Sequence, residues 1–376
     1  MIYFDNSATT KISDKVLEEM TNTYKNFWGN PSSIHTVGQR SKEILELNRY
    51  LVASAFNVSP EKIIFTSGGT ESDNFALIGT SLKHKKGHII STQIEHPAIL
   101  NTLKLLEDLG YDITLIAPDK DGIVSSREIE KNLRDDTFLI SVMHVNNEVG
   151  TIQPIEEIGE LSQKNNILFH TDAVQGLPWM EYNLSKMPVD LVTFSSHKIH
   201  GPKGIGLLYI KDREKIRRII NGGAQELELR SGTESVPLVA GFSCALRENI
   251  ESLYKRRDYV SNLKLQLEDK IVNEIDGVSV HGKNVKRVPG ISNFSIEGVK
   301  SRDLQMLLSL RDICVSGGSA CSAGSVEPSH VITSMGLSED EAESSIRVSL
   351  SHLNSIEEIE IFITTLKELV EKLRRD

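Results

Sequence analysis

Between Lys62 and Ile210 short apolar runs alternate with amphipathic stretches, and this alternation restricts the fold more than any other feature of the chain. Lys62-Ile63-Ile64-Phe65-Thr66, His88 to Ser91, Asp112 to Ala117, Phe138 to Val142, Ile167 to His170, Asp190 to Phe194 and Gly206 to Ile210 read as strands. Thr70 to Leu82, Ala98 to Leu109 and a stretch after Pro154 read as intervening helices. Strands joined through helices need crossover connections, so they pair mainly parallel, and such a sheet must be covered on both faces. Beyond Pro237 the texture changes to a long helical pattern reaching about Val272, then strands at Val278 to His281 and Ile291 to Ile296. At the end Ile356, Ile359, Phe362, Ile363, Leu366, Val370 and Leu373 share one helical face, and Ser355 with Glu358 has capping-box spacing. The expected fold is α/β: a large domain over 15–255 with a mainly parallel sheet flanked by helices. A smaller α+β domain would be formed by 1–14 and 256–376.

The length of 376 residues suffices for both cores. A formal net charge of −10 disfavours phosphate backbones and anionic lipid, so neither direct nucleic-acid nor membrane binding is expected. The start, Met1-Ile2-Tyr3-Phe4-Asp5-Asn6, lacks the basic and apolar regions of a signal peptide, and no apolar stretch approaches the roughly 20 residues of a membrane span. The three cysteines, Cys244, Cys314 and Cys321, show neither disulfide nor zinc spacing. A reducing, cytoplasmic location is the expectation.

Several segments carry residues suited to chemistry. Ser195-Ser196-His197-Lys198-Ile199-His200-Gly201-Pro202-Lys203-Gly204 places a lysine among small residues at a strand end, where an amine can reach a cleft and form an imine. Asp172, in His170-Thr171-Asp172-Ala173-Val174-Gln175, ends another strand, where open α/β sheets bind ligands; an N-capping role competes. Thr66-Ser67-Gly68-Gly69-Thr70-Glu71-Ser72 joins strand to helix and offers a phosphate cradle, with an ordinary tight turn as the rival. His96 precedes Pro97 and could stack on a flat cofactor, move protons, or cap the helix. Arg347, in a strand-like run, needs a carboxylate, whether structural or a substrate's. Cys321 lies in Ser316-Gly317-Gly318-Ser319-Ala320-Cys321-Ser322-Ala323-Gly324-Ser325, no setting for a packed thiol, and reads as reactive. Cys244 and Cys314, with apolar neighbours, read as structural.

Taken in order, these segments resemble the NifS/IscS-type cysteine desulfurases, class-V aminotransferases among the fold-type-I pyridoxal-phosphate enzymes. The likeness extends through Tyr3-Phe4-Asp5-Asn6-Ser7-Ala8-Thr9-Thr10, Gly29-Asn30-Pro31-Ser32-Ser33-Ile34-His35, Glu95-His96-Pro97, Val145-Asn146-Asn147-Glu148-Val149-Gly150-Thr151, Arg230-Ser231-Gly232-Thr233 and Ile346-Arg347-Val348-Ser349-Leu350. It implies that the large domain binds pyridoxal 5′-phosphate and the small one carries the Cys321 loop and Arg347. Lys198 would be the Schiff-base lysine and α-proton base, Asp172 the partner of the pyridine nitrogen, and Gln175 the neighbour of the ring hydroxyl. His96 would stack on the ring and shuttle protons. Gly69, Thr70, Ser195 and His197 would hold the phosphate, joined by Thr233 from the other subunit of a homodimer. Asn147 and Arg347 would bind substrate, and Cys321 would accept sulfur from L-cysteine, leaving L-alanine.

The same resemblance implies a sulfur acceptor protein, such as an iron–sulfur scaffold or a tRNA-thiolation enzyme. No resident metal is implied, only a transient iron–sulfur contact at Cys321 shared with a scaffold. The chain departs from the family pattern at Gly222-Gly223-Ala224-Gln225-Glu226-Leu227-Glu228-Leu229, where Gly-Gly-Gly-Gln-Glu-Arg-Gly is usual. The rival readings are a selenocysteine lyase, an aminotransferase, which has no use for Cys321, and a non-catalytic scaffold, which would not need Lys198, Asp172, His96 and Cys321 together.

Overall fold

The computed structural model describes residues 1–317 and 328–375. Its large sheet has seven strands in the order Ile63–Thr66, Gly206–Ile210, Leu191–Ser195, Leu168–Asp172, Thr137–Ser141, His88–Thr92, Asp112–Ile116. Gly206–Ile210 alone runs against its neighbours, because the short 196–205 turn returns the chain directly without a crossover. All other pairings between neighbouring strands are parallel. Six strands therefore end on one edge, at Thr66, Ser195, Asp172, Ser141, Thr92 and Ile116.

Side-chain alternation explains the two covered faces. Phe65, Ile90, Ile140, Val192 and Leu207 pack with Val16, Leu45, Val52, Ile158 and Phe242 on one side. Their sequence neighbours Ile64, Ile89, Leu139, Leu191 and Leu208 pack with Phe75, Leu77, Ile99, Leu103 and Leu106 on the other. The helices Asp14–Asn26 and Thr36–Ala55, not anticipated from the sequence, supply part of the first cover.

A second, antiparallel sheet has the order Ser316–Gly317, Ser345–Ser349, Ile291–Ile296, Val278–Val280. Phe294, Ile346 and Val348 pack there against Phe362, Ile363 and Leu366 of the terminal helix Ile356–Leu373, whose Ser355–Glu358 capping box is formed. The helix Val236–Glu274 serves both cores, with Val239 and Phe242 in the first and Val260, Leu263 and Leu267 in the second. The N-terminal segment crosses between the sheets: Asp5 bridges to Ser349, and the Ser7 N–H donates to Ser349 Oγ at 2.9 Å.

Candidate active site

The carboxyl edge of the large sheet gathers residues that are far apart in sequence. Asp172 pairs in register with Thr193 of the adjacent strand, and Ser195 ends that strand. The turn Ser196–Lys198 follows at once and aims Lys198 back across the edge. Lys198 Nζ donates to the carbonyls of Ser7 and Ala8, the latter at 2.9 Å. Gln175 Nε2 donates to the same Ser7 carbonyl at 2.9 Å.

Burial pushes the Asp172 carboxyl up to about 6, while the Val174 N–H and the Lys198 charge pull it down. Its Oδ1 accepts from Val174 N at 2.9 Å, so the local capping contact is present as well. Behind it Asp73 is held well above the usual carboxylate range by burial and by Asp172, with Thr193 donating to it. His170, bonded to Ser141 and Thr193, lies 3.8 Å from Asp73 and is pushed down to about 3 by burial.

His96 caps the helix Pro97–Asp108, its Nδ1 accepting from the Ala98 N–H at 3.1 Å. The neutral ring therefore carries its proton on Nε2. Burial first, then Lys198, His330 and Arg347, lowers it to about 4. His197 shares a 3.1 Å hydrogen bond with Thr9 Oγ1 and is lowered to about 3 by burial and by Lys198 and Lys203.

Gly69 opens the helix Gly69–Ser81, whose first N–H groups face the strand ends. Ser195 Oγ is buried there without a hydrogen-bond partner among the described residues. A Cβ on Gly69 would stand 3.1 Å from Val174 Cγ2 and 3.7 Å from Ser195 Cβ, so glycine keeps this corner clear. Thr70 is exposed beside it. Arg347 is buried, donating to Asn147 O at 2.8 Å and to Asp5 Oδ1 at 3.0 Å; its Nε has no partner among the described residues. The structural salt bridge thus exists alongside a free donor.

Thr233 is exposed, and no hydrogen bond among the described residues joins it to Ser195 or Lys198. Its stretch is anchored by Arg230, which grips Glu71 through two bonds of 2.8 and 3.1 Å. The departing segment is built around Glu226, whose carboxylate takes two 2.8 Å bonds from Arg49 and one of 2.8 Å from Phe65 N. Glu226, Leu227 and Glu228 are successively left-handed, at φ 45°, 58° and 67°. Each such non-glycine residue costs about 1–2 kcal/mol, which the buried Arg49–Glu226 pair helps offset.

Sequence reasoning assigned no role to Asp5, Thr9, Asp73, Glu95, Glu148 or the Ser7 and Ala8 carbonyls. Glu95 and Glu148 are both fully buried, and burial lifts them to about 8 and about 7. Their signal was an acid inside an otherwise apolar or amide-rich run. Cys244 is buried and Cys314 half-buried, both as free thiols. Cys321 lies outside the described residues.

A lysine amine at the sheet edge, a buried carboxylate on the next strand, a neutral histidine and an anion corner with a bare serine hydroxyl fit a flat, phosphorylated aldehyde cofactor. They define an enzyme that activates amino acids through a lysine-held ring. Residues 2–362 match the aminotransferase class-V family. A cysteine desulfurase IscS from Clostridium botulinum (strain Kyoto / Type A2) is 40% identical, with 99% of this chain and 95% of that one covered. A solved NifS-like protein superposes with a TM-score of 0.92 at 38% identity, covering 98% of this chain and 99% of the other. A structure titled SspA in complex with cysteine gives a TM-score of 0.83 at 37% identity over 93% and 99% of the two chains. The chain belongs to the NifS/IscS-type cysteine desulfurases of the class-V aminotransferase family. Membership implies pyridoxal 5′-phosphate as the cofactor.

Proposed function

We propose that the chain takes sulfur from L-cysteine, releases L-alanine and keeps a persulfide on Cys321. The observation carrying this reading is the position of Ser316, Ser329 and His330, which flank Cys321 in the sequence. Ser316 pairs directly with Arg347 just before the segment. Just after it, Ser329 Oγ donates to Glu148, and His330 Nε2 meets the carbonyl of Glu95, the residue preceding His96. Both stems of the Cys321 segment therefore flank the substrate corner.

When bound, the pyridoxal ring supplies a sink for the electrons of the substrate Cα–H bond. Lys198 would hold the cofactor and, once released by substrate, its Nζ would take the Cα proton. Asp172 would keep the ring nitrogen protonated. Ser195 Oγ, His197 and the Gly69–Thr70 amides would hold the phosphate, and Gln175 would bind the ring hydroxyl. Arg347, oriented by Asp5 and the Asn147 carbonyl, binds the substrate carboxylate, with Asn147 beside it. The Cys321 thiolate attacks the substrate sulfur, the S–S bond forming as the Cβ–S bond breaks. The electron pair stays on the carbon product, which leaves as alanine after protonation, with His96 Nε2 as the donor.

Thr233 completes the phosphate site of a second copy in a homodimer, which accounts for its exposure. The persulfide passes to an acceptor protein serving iron–sulfur assembly or tRNA thiolation, in the cytoplasm. Among the described residues no helix is long and apolar enough to cross a membrane. The test is the visible spectrum of purified protein together with alanine and sulfide release from cysteine under dithiothreitol, for wild type and Cys321→Ala. A cofactor band with sulfide release lost in the variant is expected. A protein that cannot be loaded with cofactor, or a variant as active as wild type, overturns the reading.

A further inference from the structure

Three buried arginines each meet a carboxylate: Arg49 meets Glu226 at 2.8 Å, Arg287 meets Glu268 at 2.7 Å, and Arg347 meets Asp5 at 3.0 Å. Arg256, half-buried on the long helix Val236–Glu274, forms no such pair among the described residues. Its Nη2 reaches only neutral oxygens, namely Asn249 O at 3.0 Å, Pro178 O at 3.4 Å and Asn249 Oδ1. Its Nε is buried with no partner among the described residues. Burial lowers this guanidinium to about 10, opposed only by the longer-range charge of Glu248, with which it forms no hydrogen bond among the described residues.

Arg256 borders two adjoining cavities that share it with His200 and His352, whose rings meet edge to face at 4.7 Å. The inner cavity, about 20 Å³, reaches Lys198 and Gln175 and has room for a water molecule. The outer one, about 260 Å³, opens between Ser13, Asn249 and Ser252 and has room for a small polyatomic ion. None of these three basic groups takes part in the chemistry assigned above.

We propose that the outer cavity is a binding site for a small oxygen anion, an inorganic oxyanion or a short carboxylate, seated against Arg256, His200 and His352. The ion gives Arg256 Nε the acceptor that it lacks among the described residues and adds to the longer-range charge of Glu248. Lys11 also faces the cavity, as do the acids Asp14 and Glu248. Glu248 is already engaged, accepting from Ser13 Oγ at 2.6 Å and lying 3.8 Å from Lys15 Nζ. His200 Nδ1 is committed to the Lys11 carbonyl at 2.9 Å, so its neutral ring presents a bare Nε2 that must gain a proton to face an anion. His352 is held at about 4 by burial, His200 and Arg256, with Glu248 opposing. A bound anion offsets the two cationic contributions and raises both imidazoles, so binding takes up protons and tightens as pH falls.

The test is calorimetric titration of the cofactor-loaded enzyme, whose phosphate corner is then filled, with sulfate and separately with acetate. At least one should bind, more tightly near about pH 6 than near about pH 8. Affinity should weaken about tenfold or more in Arg256→Gln and in His352→Ala, and remain in Arg347→Gln. Sulfate alone identifies an inorganic oxyanion site and acetate alone a carboxylate site. His352→Ala carries the test if loss of the Arg256 contacts unfolds the protein. No binding of either ion at millimolar concentration, or binding that depends on Arg347 and not on Arg256 or His352, overturns the proposal.

Discussion

Replacing Asp172 with asparagine separates its charge from its shape. Asparagine keeps an Oδ1 to accept from Val174 N, now at 2.9 Å, and caps as well as aspartate does, so a purely local role predicts almost no loss. A role opposite a protonated ring nitrogen predicts the cost of breaking a buried charge pair, about 3–5 kcal/mol. That corresponds to a fall in kcat of roughly a hundredfold to several thousandfold. Burial raises the carboxyl to about 6 and a ring cation beside it would pull that value down, so at neutral pH it is ionised. An acid limb belonging to Asp172 should therefore lie below about pH 6 in wild type and be missing in the variant, which stays low and flat. Alanine release across this range, with the visible spectrum recorded alongside, measures both effects. A loss under about threefold, with the acid limb retained in the variant, would refute the assignment.

Glu148, raised by burial from 4.5 to about 7, is protonated in the fold at pH values where the unfolded chain has already released its proton. Its contribution to stability is lost as pH climbs between those values, so Glu148→Gln should gain on wild type by about 2 kcal/mol between pH ~5.5 and ~8.5. Urea unfolding at the two pH values checks this, and an equal mutational effect at both counts against it. Gly206→Ala would set a Cβ 2.7 Å from the Gly68 carbonyl carbon and 2.8 Å from Phe194 O. Because those atoms are backbone, the phosphate corner must shift, at about 1–3 kcal/mol. Cofactor titration should show weaker binding; unchanged affinity would mean the corner does not depend on this close approach.

Much of the architecture was legible because periodicity reports burial. Strands such as Ile291–Ile296 and the Ser355 cap appear where apolar spacing and capping chemistry put them. The helices Asp14–Asn26 and Thr36–Ala55 were not read, since their buried residues are few and mixed with polar ones such as Ser41 and Asn48. Lys198, Asp172 and His96 stood out through residue type at strand ends. Asp172, His96 and Arg347 each make the local structural contact that competed with a functional role.

The amino-acid sequence by itself determined the α/β class, the strand-end placement of the reactive residues and the family, because these follow from local pattern and residue chemistry. Only the tertiary structure decided which charges are paired and which groups are desolvated. Asp5 meets Arg347 from 342 positions away and Arg49 meets Glu226 across 177, while Arg256 forms no ion pair among the described residues and feels Glu248 only at longer range. Such pairings depend on how two cores dock along one long helix, and burial, which sets the protonation of Asp172, Glu95 and Glu148, exists only once they have.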